Sequence, residues 1–335
     1  MIRIAFMGFR HGHIYAMYDA CKKSDKFQIV AACEEDAATR EQLAKNNIAD
    51  ITHDNYLKML DEVECDAIAC GDYYGKRGAI LIEALKRGKH VIADKPICTR
   101  QSELDEIERL AKENNLKVGC MLDARCNGRL VKLRELIRAG TIGEIHAINV
   151  AGQHPLLYGS RPSWYFEEDK HGGTINDIAI HAVDFVPWIT GLELTETVAA
   201  LSWNAFLKEV PYFHDAGQFI VRLENGCGFM CDVSYFMPDS FGYRLDLYWR
   251  MTFYGRDGIL ETSVVSPKVR LAKNGSKEEE WLDPAPNTDS DYLYAFYDDI
   301  KGADSSMTTE HVIKVSRKSL KIQEAAYSAS AFVKL

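Results

Sequence analysis

The chain has 335 residues, of which 47% are hydrophobic and 27% charged, an ordinary balance for a globular protein with length enough for two domains. Lysine and arginine number 40 against 49 acids, a net charge of −9, which argues against nucleic acid or an anionic membrane as a partner. No apolar run approaches the ~18 residues of a membrane span, and Met1 to Gly8 reads as a strand and not as a signal peptide. The nine cysteines are scattered without a CxxC pair, the pattern of reduced thiols in a cytoplasmic protein.

Ile2 to Met7 reads as a strand, Gly8-Phe9-Arg10-His11-Gly12-His13 as a turn and Ile14 to Lys23 as a helix. Strand, glycine turn and helix are the setting of a dinucleotide fingerprint. Gly8 takes the first glycine position, Arg10 and His13 stand at the second and third, and Gly12 lies off the standard spacing. Arg10 there either meets a pyrophosphate as a cation or blocks its approach. Phe27 to Cys33 is a second β-rich run ending at Glu34-Glu35. An acid in that place accepts hydrogen bonds from an adenosine ribose diol and repels a 2′-phosphate, so Glu34 favours NAD over NADP. It serves equally as an acid at a helix N-terminus.

The alternation continues with a helix from Asp36 to Asn46, a short strand at Ile51-Thr52 and a short helix from Tyr56 to Leu60. A buried strand, Asp66 to Cys70, precedes a helix from Lys76 to Arg87 that stops at Gly88. His90-Val91-Ile92-Ala93 is the next strand, and it runs into Asp94-Lys95-Pro96. Pro96 ends the ladder, leaves Lys95 extended, and makes a cis bond available there. A lysine at the carboxyl end of a strand lies where open α/β sheets bind ligands, although most lysines after strands are solvated surface groups. A helix from Gln101 to Asn114 and a strand from Lys117 to Met121 complete a Rossmann-type parallel sheet over residues 1–122.

From residue 123 to 335 the pattern is α+β. A helix from Asn127 to Ala139 leads into strands at Glu144–Gly152, Thr197–Trp203, Gln218–Leu223, Cys227–Phe236, Leu245–Tyr254 and Ile259–Val265. Turns such as Glu224-Asn225-Gly226 mark hairpins of a large, mostly antiparallel sheet. A helix from Thr309 to Ala329 closes the chain. Within this half, Gly172-Gly173 precedes a helix on which Asp177 and His181 are four apart and share a face that Asp184 and Trp188 continue. The pair suits a general acid/base whose orientation is held, or an intrahelical hydrogen bond. No third ligand sits at metal-site spacing, and Cys227-x-x-x-Cys231 is a strand alternation, so no metal is expected.

Taken together, Gly8, Gly88-Lys89-His90-Val91, Asp94-Lys95-Pro96, Gly140-Thr141-Ile142-Gly143-Glu144-Ile145 and Gly172-Gly173…Asp177…His181…Asp184 resemble the Gfo/Idh/MocA oxidoreductases over nearly the whole chain. Three positions depart from the family pattern. Asp94 replaces a glutamate, Arg10 replaces a glycine, and Asp72-Tyr73-Tyr74 with Arg77 replace a Thr-Pro-Asn loop and its histidine. The resemblance implies a Rossmann domain, a second domain on a large sheet, and a nicotinamide cofactor used to oxidise a secondary alcohol of a sugar or cyclitol or to reduce its ketone. It implies Lys95, Asp177 and His181 as the catalytic set. Gly8, Arg10, His11, Gly12, His13, Glu34, Asp72, Tyr73, Asp94, Lys95 and Pro96 would hold the cofactor. It also implies a homodimer or homotetramer.

Candidates for the substrate wall, besides Asp177 and His181, are His154, Tyr158, Arg161, Trp164 and Tyr165, a polar-aromatic stretch that suits a sugar ring or simply closes a core. Two other functions compete with a dehydrogenase: an NAD-requiring glycosidase that works by transient oxidation, and a non-enzymatic NAD- or sugar-binding regulator.

Overall fold

A computed structural model describes residues 1–288 and 291–328. It divides into two compact units. The first holds residues 1–122, 162–172 and 291–317; the second holds residues 123–161, 173–288 and 318–328.

The first unit is built on five parallel strands, β1 (Ile2–Phe9), β2 (Phe27–Cys33), β3 (Ala67–Gly71), β4 (His90–Asp94) and β5 (Val118–Met121), in the order β2-β1-β3-β4-β5. Helices α1 (His13–Lys23), α2 (Ala37–Lys45), α3 (Tyr56–Glu62), α4 (Tyr74–Lys86) and α5 (Gln101–Glu113) make the crossovers. Every residue of β3 and β5 is buried, as expected of strands covered on both faces. Each large apolar side chain so placed contributes on the order of 1.5–3 kcal/mol. The strand expected at Ile51-Thr52 reduces to one bridge, Cys33 to His53. Gly8 has φ +77°, and a Cβ there would lie 2.6 Å from the Asp72 Cβ, so the turn after β1 requires glycine. The Lys95–Pro96 bond is cis.

The second unit carries an eight-stranded sheet. Its strands are β6 (Ile145–Pro155), β7 (Leu194–Trp203), β8 (Ala216–Leu223), β9 (Gly228–Met237), β10 (Arg250–Gly255), β11 (Gly258–Ser263), β12 (Val269–Lys273) and β13 (Glu280–Leu282). Their order is β13-β12-β11-β10-β6-β9-β8-β7, antiparallel except for the parallel β6–β9 pair. β8 alternates buried and exposed residues, so this sheet covers a core on one face only. Beside it lie α6 (Gly128–Arg138) and α7 (Ile180–Thr190). Two helices follow the sheet in sequence: α8 (Asp291–Lys301) in the first unit, and α9 (Thr309–Ser328), which belongs to the first unit up to Arg317 and to the second from Lys318. α8, β12 and β13 are elements beyond those expected from the sequence. The expected last residue of α9, Ala329, lies outside the described residues.

Asp184 on α7 is fully buried, and its carboxylate takes both arms of the Arg125 guanidinium, from Nε at 2.8 Å and from Nη2 at 2.5 Å. A bidentate, desolvated pair of this kind fixes α7 against the short helix Asp123–Cys126. Removing one partner strands a buried charge, so Asp184→Ala or Arg125→Ala should each lower stability by about 3–5 kcal/mol, whereas Arg125→Met combined with Asp184→Leu should recover most of that loss. Urea unfolding of the three variants checks this; unchanged midpoints in both single variants would contradict it.

Candidate active site

All eleven cofactor residues inferred from the sequence belong to the first unit, on or just after the carboxyl ends of β1, β2, β3 and β4. The backbone N–H groups of Arg10 and His11 both donate to the Gly71 carbonyl, which fastens the turn to β3. The Arg10 guanidinium lies 3.7 Å from the Asp36 carboxylate. Glu34 is buried and accepts from the N–H of Phe9 at 2.6 Å and from that of Asp36 at 2.8 Å. Burial raises its pKa against those two bonds. Asp72 accepts from the N–H of Tyr73 and lies 3.1 Å from Lys76 Nζ, at the start of α4. A Cβ on Gly12 would meet nothing within 4 Å, so the start of α1 is open to an approaching group. A helix N-terminus that follows a glycine turn fits a pyrophosphate.

Asp94 is the centre of this unit's polar site. It is fully buried, and its Oδ2 accepts from Arg77 Nη2 at 3.0 Å and from His11 Nδ1 in a shorter contact. His13 Nδ1 lies 3.2 Å from Oδ1. Burial alone would raise the Asp94 carboxyl, but His11, Arg77 and His13 outweigh it and hold it well below the usual carboxylate range. Arg77 is itself fully buried and donates through Nη1 to the carbonyls of Asp94, Lys95 and Pro96 and through Nε to that of Asp72. One guanidinium thus fixes the backbone on both sides of Lys95.

Burial also pulls His11 down to about 4, against the attraction of Asp94, so the ring is neutral at neutral pH. A carboxylate only accepts, so Nδ1 carries the proton and Nε2 accepts from the Tyr74 hydroxyl at 3.2 Å. Tyr74, having donated, accepts in turn from Tyr165 at 2.9 Å. A directed chain therefore runs from Tyr165 through Tyr74 and His11 to Asp94, all of it buried.

This chain changes the reading of the aromatic stretch. Trp164 is 1% exposed, stacks on Tyr165 at 4.1 Å, and donates its indole N–H to the Arg10 carbonyl. It packs with Tyr74 and Tyr165 in a core of the first unit, so it does not line a substrate wall there. Tyr165 is equally buried and acts through its hydroxyl. Tyr158 is exposed and Arg161 is spent on the carbonyls of Pro155 and Leu156; both belong to the second unit.

The second unit has its own polar site. Residues 175–179 form a π-helical turn, a feature frequent at functional sites, and α7 follows directly. Gln323 Oε1 accepts from the N–H groups of Ile175 and Asn176, which secures the turn. Asp177, 3% exposed, accepts a short hydrogen bond from the Tyr235 hydroxyl on β9. His181 is 6% exposed, with Nε2 3.8 Å from Asp123 Oδ1 and its ring edge-on to Trp249. His154 packs among Tyr235, Tyr243, Tyr248 and Trp249, at centroid distances of 5.0–6.3 Å. Arg161 lies over the Tyr235 ring at 5.1 Å. Asp177, His181, His154 and Arg161 thus share aromatic neighbours within this unit, and Tyr235 was missed. A tyrosine at an inward position of an alternating strand was the available signal, because a buried hydroxyl needs a partner.

Comparison with known proteins agrees with this geometry. Residues 2–121 match the family model described as oxidoreductase family, NAD-binding Rossmann fold, and residues 130–261 match the GFO/IDH/MocA C-terminal domain. D-xylose dehydrogenase of Paenarthrobacter nicotinovorans is 28% identical over 44% of this chain and 39% of its own length. Myo-inositol 2-dehydrogenase of Thermotoga maritima is 23% identical over 62% of this chain and 61% of its own. The chain therefore spans less than two thirds of the length of either relative. A putative oxidoreductase from Erwinia carotovora atroseptica has the same fold, with a TM-score of 0.86 at 24% identity over 97% of this chain and 99% of that one. The chain belongs to the Gfo/Idh/MocA family of oxidoreductases, and its first unit is an NAD-binding Rossmann domain.

Proposed function

We propose that the protein is an NAD-dependent dehydrogenase acting on a secondary alcohol of a sugar or cyclitol, or on the matching ketone. The observation that carries this reading is the buried, hydrogen-bonded Asp177 one turn before His181, beside aromatic rings and a guanidinium. Its polar groups and ring faces suit a polyol, and the xylose and inositol dehydrogenases among its relatives are consistent with that class.

The bound nicotinamide would accept or deliver the hydride. Lys95 donates a hydrogen bond to the reacting oxygen and offsets its developing negative charge. His181 takes the hydroxyl proton, and Asp177, held by Tyr235, orients the substrate or that base. Gly8, Gly12 and the start of α1 receive the pyrophosphate. Glu34 receives the adenosine ribose, and Arg10 and Arg40, the cations beside it, are occupied by Asp36 and by the carbonyls of Glu34 and Glu35. That leaves the acid to repel a 2′-phosphate, so NAD is preferred. The nine cysteines are all free thiols, consistent with a reducing cytoplasm. Val198, Ile220, Met230, Ile259 and Trp281 are exposed on the large sheet, which suits assembly as a homodimer or homotetramer.

Three measurements test the reading. In a polyol panel with NAD, Lys95→Ala and His181→Ala should each lower kcat by roughly 10²–10⁴ while NADH still binds; near-normal turnover in both would refute the assignment. Tyr235→Phe removes the hydroxyl that positions Asp177 and keeps the ring. It should lower kcat about tenfold or more with little change in NADH affinity, since a hydrogen bond to a charged group contributes about 1.5–3 kcal/mol. An effect confined to melting temperature would make Tyr235 purely structural. Quenching of tryptophan fluorescence should give NADH a Kd at least about tenfold below that of NADPH, one buried charge contact being enough for that factor; equal affinities would remove Glu34 from the argument.

A further inference from the structure

We propose that His11, His13 and Asp94 bind a divalent transition-metal ion, with zinc the best fit. Each offers one ligand atom, and the three atoms lie within 4.8 Å of one another. Sequence spacing could not reveal such a set, because His11 and Asp94 are 83 residues apart and meet only through the order β1-β3-β4.

The separations suit a small ion. Zinc bonds of about 2.0–2.1 Å at a tetrahedral angle place two ligand atoms roughly 3.3 Å apart. His13 Nδ1 and Asp94 Oδ1 are 3.2 Å apart. His11 Nδ1 is closer to Asp94, hydrogen-bonded directly to Oδ2, and that contact opens to admit the ion. The His11 proton then moves from Nδ1 to Nε2, so the ring stays neutral. Nε2–H donates to Tyr74, whose hydroxyl turns to donate to Tyr165, and no hydrogen bond of that chain is lost.

The outer contacts are those of a metal site. A ligating histidine ordinarily has its second nitrogen held by a partner, as Tyr74 holds His11, and ligating carboxylates are hydrogen-bonded, as Arg77 bonds Asp94. Arg77 bonds Oδ2, and the other oxygen, Oδ1, faces His13. Two imidazoles and one carboxylate select zinc over magnesium or calcium, which prefer oxygen ligands throughout. The His13 side chain is 40% exposed, which leaves a route for the ion and a fourth position for water. Arg77 and Lys95 are cations close to the set, so the ion should bind reversibly.

Zinc chloride titrated into the EDTA-treated full-length chain by calorimetry tests this, with cobalt chloride as the spectroscopic probe. The chain should bind one zinc ion, and cobalt should give visible bands of nitrogen–oxygen ligation without the thiolate charge transfer that its cysteines would produce. His13→Gln should weaken zinc by more than the roughly 10–100-fold that loss of an outer-shell partner costs, and Asp94→Asn should do the same. His13 is partly exposed, so its variant should melt like the unmodified chain and show that the loss is not unfolding. His146→Gln, at an exposed histidine, should bind as the unmodified chain does. Absence of zinc binding by the unmodified chain, binding by His13→Gln equal to it, or thiolate bands in the cobalt spectrum would each overturn the site.

Discussion

The first unit depends on one constraint: a carboxylate with no exposed surface at the end of β4 must be compensated. Asp94 is compensated by Arg77, His11 and His13, and each partner is drawn into place from a different element. Arg77 comes from α4 and reaches the carbonyls on both sides of Lys95. The histidines come from the turn after β1. Two of the departures from the family pattern are therefore not independent. The shorter acid at 94 and the arginine in place of the loop histidine form one charge-balanced arrangement, joined by His11 and His13. Removing Asp94 or Arg77 leaves the other buried without its charged partner.

The same physics operates in the second unit with a different donor. Asp177 sits on a π-helical turn, where the ladder between successive turns is interrupted and backbone groups need outside partners. Gln323 supplies them, and Tyr235 supplies the side-chain bond. The turn is thus secured by a residue of α9 and faces one of β9, elements far from it in sequence.

That distance explains what the sequence could and could not reveal. The two sheets were legible, because strand alternation and fully apolar runs are local signals, and Lys95, Asp177 and His181 could be singled out as candidates because they sit in short motifs. Arg77, Arg125 and Tyr235 were not, because their meaning lies in partners on other elements. Trp164 misled for a related reason: a polar-aromatic stretch looks the same whether its rings line a wall or, as here, pack beneath the glycine turn with the indole N–H on a carbonyl. α8 escaped because Asp291–Lys301 mixes tyrosines with acids.

Four of the buried carboxylates, Glu34, Asp94, Asp177 and Asp184, show how partner chemistry separates one kind of buried acid from another. Asp184 is matched by a bidentate guanidinium, which cancels its charge and uses both oxygens; such a group can hold a helix and do little else. Glu34 is met by two backbone N–H groups, which fix its position without adding a cation. Asp177 receives a phenol, which adds direction but no charge. Asp94 lies between these cases, since one oxygen faces a guanidinium while the His11 and His13 imidazoles approach its two oxygens. A carboxylate held by neutral donors keeps the field that a proton, a hydroxyl or a metal ion responds to. By that criterion Asp177 and Asp94 keep a field that Asp184 has lost to its bidentate guanidinium.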